Sequence, residues 1–210
     1  MADSGPNETK FRIQTASGLY YHFLEPTAEM IALNDIAHHL AGTFRFSGAT
    51  DPWISVAEHS VAVSRLVPDE FKGGALFHDG SEAYLWDLPR PAKPLYGKTY
   101  AELTQKCDAV IGEKLGIDPD QFHDPVVKAA DDTMLNYEGN IGLPHWSEPK
   151  PELGPMIDWT IGLPPAQAKR LFLQEAIRLG YGQKVDYAPP LPELKQKVLE
   201  PGSGQLSFEL

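Results

Sequence analysis

Tyr100, Leu103, Cys107, Val110, Ile111 and Leu115 recur at spacings of mostly three and four residues. Only an α-helix gathers that period onto one apolar face. Gly116 stands where such a helix closes. The same period runs through Leu33, Ile36, Ala37 and Leu40, stopped by Gly42, and begins again at Ile54, Ala57 and Val61. Val127, Ala130, Met134 and Leu135 repeat it, as do Ala168, Leu171, Phe172, Ala176 and Leu179, stopped by Gly180. Two shorter helices are expected at about 69–78, where Gly73-Gly74 allows close backbone packing, and from about Ser81 to before Pro89. Helices with one apolar face must bury it against each other, so the expected fold class is all-α, with six or more helices. Phe11-Arg12-Ile13 and Leu19 to Phe23 flank Ala16-Ser17-Gly18, which predicts one short N-terminal β-hairpin.

Residues 11–180 are expected to form a single domain, with 1–10 and 181–210 as tails. At 210 residues and 42% hydrophobic content the chain can bury a core of its own. No apolar run approaches the roughly 20 residues that cross a bilayer, and the polar, acidic start does not resemble a signal peptide. Cys107 is the one cysteine, so no intrachain disulfide forms and a cytoplasmic setting is expected. It falls on the apolar stripe and reads as core. A net charge of −11 argues against a nucleic-acid surface. Gly139 to Pro165 is rich in Gly and Pro and holds Trp146 and Trp159. It is long for a passive connection and is expected to shape a pocket or an oligomer contact, and a homo-oligomer is the expected state.

Chemistry concentrates between Leu76 and Lys93. An adjacent His78-Asp79 is followed by Glu82 and Asp87, then by Arg90 and Lys93. Imidazole and carboxylate suit a first-row divalent metal. Glu82 and Asp87 are spare carboxylates for proton transfer. Arg90 and Lys93 suit phosphate. A second pair, His123-Asp124, precedes Pro125 and an apolar run, and there Asp124 reads as a helix N-cap and Pro125 as the first helical residue. That pair is expected away from any metal. His38 and His39 end a helix and read as complements to its dipole. Asp131 shares a face with Val127, Ala130 and Met134, and a carboxylate on a buried face needs a partner. Asp132 points about 100° away and reads as solvated.

The order His59, His78-Asp79, Asp131 resembles the HD-domain phosphohydrolase superfamily, and within it the small single-domain nucleotidases. The likeness extends through Arg45-Phe46-Ser47-Gly48, Ser55 to Ser60, His78 to Leu85, Asp87 to Lys93 and Lys128 to Asp131. It covers roughly residues 20–140 and a last helix near 165–180. That family includes 5′-deoxynucleotidases and phage-type dATP triphosphohydrolases.

The resemblance implies an HD-domain helical bundle with a divalent ion (Co, Mn, Mg or Zn) held by His59, His78, Asp79 and Asp131. It implies Glu82 and Asp87 as acid–base and water-orienting groups. Arg45 and Lys93 would hold phosphate, with Lys98 and Lys72 as further cations. Phe46 would stack on a base, and Pro91 would line its pocket. The expected reaction is hydrolysis at the α-phosphorus, dATP giving deoxyadenosine and intact triphosphate. The alternatives are a 5′-deoxynucleotidase acting on monophosphates and a non-catalytic nucleotide-binding module. One position departs from the family pattern: Trp86 stands where glycine is usual, and it is expected to pack near the pocket mouth, with a contact to ligand as the alternative.

Overall fold

Nine consecutive residues of one helix, Val56 to Ser64, are buried, and four other helices pack against it. The computed structural model describes residues 10–153 and 161–182. Trp159 and the tails, apart from Lys10, Tyr181 and Gly182, lie outside the described residues. Strands β1 (Arg12–Gln14) and β2 (Tyr20–His22) pair antiparallel, with Ile13 opposite Tyr21. The helices are α1 (Leu33–Gly42), α2 (Val56–Leu66), α3 (Lys72–Phe77), α4 (Glu82–Leu85), α5 (Gly97–Leu115), α6 (Pro125–Gly142) and α7 (Pro165–Arg178). The protein is all-α with a short N-terminal hairpin, as the periodicities predict.

Local chemistry fixes where these helices start. Ser55 caps α2 by accepting a bond from the Glu58 amide, and Glu58 accepts one from the Ser55 amide at 2.9 Å. This reciprocal box satisfies two amides that a helix start leaves bare. The other Glu58 oxygen accepts from the Leu163 amide at 2.9 Å, tying the approach to α7 onto α2. Asp124 caps α6 by accepting from the Val126 amide at 2.8 Å, with Pro125 in the first turn. The helix expected over 69–78 is divided: Asp69–Phe71 forms a 3₁₀ turn, and α3 follows it. A Cβ on Gly74 would stand 2.7 Å from the Gln121 carbonyl oxygen, so the close approach expected of Gly73-Gly74 is present.

The larger core joins α1, α2, α3, α5 and α7 through Ile36, Leu40, Val61, Phe77, Ile111 and Phe172, with Cys107 buried among them. The hairpin enters that core through Tyr21, whose ring stacks on Tyr84 at 4.3 Å. A second cluster of Val63, Ala75, Val127 and Met134 binds α2 and α3 to α6. Two expectations about single residues need correction. His39 does more than answer a dipole: its Nδ1 donates to the Ala83 carbonyl at 2.8 Å and its Nε2 accepts from the Ala16 amide at 3.4 Å. It therefore fastens hairpin, α1 and α4 together. Trp86 does not pack. It is 73% exposed and sits at φ 67°, ψ 154°, a region essentially reserved for glycine.

Candidate metal centre and nucleotide pocket

His59 lies one turn into α2 and is fully buried. Its Nδ1 donates to Glu138 Oε1 at 2.8 Å. His78, at the end of α3, donates through Nδ1 to the Ala75 carbonyl at 2.8 Å. Each ring thereby spends Nδ1 on a protein oxygen and turns Nε2 toward the site. Neither Nε2 has a hydrogen-bond partner among the described residues, although both are buried. Such atoms are costly unless something absent from a bare chain completes them.

Carboxylates face those two nitrogens. Asp131 Oδ1 lies 3.2 Å from His59 Nε2 and 4.0 Å from His78 Nε2, and Asp79 Oδ2 lies 3.7 and 3.2 Å from the same atoms. His59, His78 and Asp131 each offer a donor atom, all within 4.8 Å of one another. Ligands about 2.0–2.2 Å from one ion stand roughly 3–4 Å apart, so this donor set fits a divalent metal. Burial opposes ionisation of Asp79 and Asp131, yet the facing imidazoles outweigh it and hold both carboxyls well below the usual range. Burial and Arg45 pull His59 down, and Glu138 with Asp131 more than reverse this, to about 9. Asp132 stays on the rim, 2.8 Å from Arg90.

Glu138 is the residue that sequence reasoning missed. It is fully buried and shared: one oxygen takes His59, and the other takes Arg45 Nε at 2.6 Å. Helix α6 runs on to Gly142, into the Gly- and Pro-rich stretch expected from Gly139, which places this carboxylate inside it. Glu138 is seven residues after Asp131, two turns along the same face, and that spacing was the available signal. Arg45 is itself buried and reaches Asp79 at 3.5 Å.

The remaining expected site residues line one cavity of about 550 Å³: Arg45, Phe46, Glu82, Asp87, Pro91 and Lys93, with Asp79 and Asp131. Leu135, Leu143 and Trp146 complete its apolar wall. Phe46 meets Trp146 edge to face at 5.6 Å and holds φ 53°, an uncommon conformation that aims its ring. Trp146 can lie on α6 because residue 139 is glycine: a Cβ there would stand 2.3 Å from the indole. Lys72 and Lys98 line neither this cavity nor its neighbour. Burial, with Asp79 and Asp87 nearby, raises the Glu82 carboxyl well above its usual range against the pull of Lys93, 3.4 Å away. Burial raises Asp87 less strongly. A carboxyl whose pKa is raised beside carboxyls whose pKa is lowered is suited to proton transfer.

No family model matches the chain. The uncharacterized protein YfdR of Escherichia coli (strain K12) is 42% identical over 126 residues, 60% of this chain and 69% of that protein. The chain belongs to the YfdR family. An uncharacterized Rhodobacter capsulatus protein is 35% identical over 134 residues, 58% of this chain and 68% of its own length. For this YfdR-family chain, chemistry rests on the side chains themselves: paired imidazoles facing Asp79 and Asp131, the buried Glu82 carboxyl, and a cavity with an apolar wall. No helix among the described residues is long and apolar enough to cross a membrane.

Proposed function

We propose that this YfdR-family protein is a metal-dependent phosphohydrolase of the HD type that cleaves deoxynucleotides at the α-phosphorus. The observation that carries this reading is the pair of buried, unpartnered Nε2 atoms of His59 and His78 facing Asp79 and Asp131 at the head of a nucleotide-sized cavity. A divalent ion supplies positive charge that polarises phosphorus and makes water more acidic. Water oxygen attacks the α-phosphorus as the bond to the 5′ oxygen breaks. Glu82 gives its proton to that departing oxygen, and Asp87 orients the water and takes its proton. Phe46, Pro91 and Trp146 offer apolar surface to the base, and Lys93 offers charge to phosphate.

The specific reading is dATP to deoxyadenosine and triphosphate. It is favoured by a second, more polar cavity that adjoins the same carboxylates and gives a longer phosphate chain room. A 5′-deoxynucleotidase acting on monophosphates is favoured by a different observation. Arg45 and Lys93 are already paired with Glu138, Asp79 and Glu82, which leaves less free charge for a triphosphate. We place the activity in the cytoplasm, where deoxynucleotide pools lie, and in a homo-oligomer. The test is chelated protein given Co²⁺, Mn²⁺, Mg²⁺ or Zn²⁺ with a panel of dNMPs, dNTPs and NTPs, products separated by chromatography. Turnover without metal, or of ribonucleotides alone, would overturn the proposal.

A further inference from the structure

The second His-Asp pair of the sequence separates in the structure. Asp124 caps α6, while His123 turns away from it to a different carboxylate, Asp108 of α5, with Nε2 3.1 Å from Asp108 Oδ2. Asp108 is 2% exposed, and its other oxygen has no hydrogen-bond partner among the described residues. Both residues line the second cavity, of about 450 Å³. That cavity shares Asp79, Glu82, Lys93 and Asp131 with the nucleotide cavity, then diverges toward α5 and the segment 122–128, where Lys128 joins it.

We propose that this second cavity is a phosphate-binding subsite in which His123, held by Asp108, acts with Lys128 and Lys93. The inference rests on the metal-dependent reading above and adds to it the residues that hold phosphate beyond the reacting centre. A buried carboxylate with one unsatisfied oxygen puts a strong negative potential on the imidazole bonded to it, and the Asp108 contact raises the His123 pKa. A charged ring bonded through Nε2 has Nδ1–H left to donate. Lys128 is tied to Asp131 and Asp132, and Lys93 to Glu82. An ion held by Asp79 and Asp131 would offset part of the carboxylate charge beside Lys128.

The test is equilibrium dialysis of the metal-loaded, full-length protein against labelled orthophosphate and labelled tripolyphosphate, with metal content measured before and after. His123→Gln is the primary variant, since glutamine can still donate to Asp108 but carries no charge; Lys128→Ala is the second. Each is expected to weaken anion binding roughly tenfold while the metal content stays at wild-type level. Tripolyphosphate held tighter than orthophosphate, with the gap shrinking in His123→Gln, assigns the cavity to phosphates beyond the α position. Orthophosphate held as tightly, with the same sensitivity, assigns it to the released product. Metal-loaded protein that binds neither anion, or variants that bind both within twofold of wild type, would overturn the subsite alone. A protein that takes up no divalent metal would overturn the proposed function and the subsite with it.

Discussion

His59 Nδ1 and Glu138 Oε1, 79 residues apart in sequence, meet at 2.8 Å in a fully buried contact. This bond decides which nitrogen of His59 faces the site. Glu138 also neutralises buried Arg45, so its removal strands a charge. Glu138→Ala is therefore expected to lower metal affinity about 10- to 100-fold and to destabilise the fold by about 3–5 kcal/mol. Metal titration and urea unfolding of the same variant check both. Unchanged metal affinity would separate Glu138 from the site.

Glu82 tests the proton inventory. Its carboxyl is buried, and one oxygen has no partner among the described residues. Glu82→Ala is expected to keep the metal and the fold, and to lower turnover about 10²- to 10⁴-fold. A variant within threefold of wild type would remove Glu82 from the chemistry.

Phe46 and Lys93 should divide substrates differently. Phe46→Ala removes an apolar face that any nucleotide uses, where stacking contributes about 1–3 kcal/mol, so dATP and dAMP hydrolysis should both fall. Lys93→Ala should harm dATP hydrolysis more than dAMP hydrolysis, because the longer chain carries more charge. Steady-state kinetics with both substrates decides this, and equal losses for Lys93→Ala would favour the monophosphate.

Trp86 offers a prediction independent of catalysis. Its backbone holds a glycine conformation, and its indole is largely in solvent. Strain of this kind costs about 1–3 kcal/mol, while glycine adds back up to about 1 kcal/mol of unfolded-state entropy. Trp86→Gly should therefore raise stability by roughly 1 kcal/mol, read as a higher urea midpoint with an unchanged slope. A lower midpoint would show that the indole makes a contact worth more than the strain.

The helices and the hairpin were legible because period and stop signals are local: Gly116 and Asp124 behave as their neighbours dictate. Asp131 was legible over Asp132 because a helix turns 100° per residue. Glu138 was not, since its partners His59 and Arg45 lie 79 and 93 residues away and the apolar period fades before α6 ends. His123 stands outside the group His59, His78 and Asp131, yet it shares a cavity with His78 and Asp131. Its partner Asp108 sits within an apolar stripe, and only the packing of α5 against the turn Pro119–His123 brings the two together. Trp86 was misread because large aromatics are usually buried for their area, whereas here backbone geometry turns the side chain outward.

The most direct measurement is product analysis with chelated protein and dATP or dAMP, before and after one divalent metal is restored. Hydrolysis at the α-phosphorus predicts no turnover without metal. With metal it predicts deoxyadenosine plus triphosphate from dATP, or deoxyadenosine plus phosphate from dAMP. Appearance of dAMP and pyrophosphate from dATP, or turnover that persists after chelation, would contradict it.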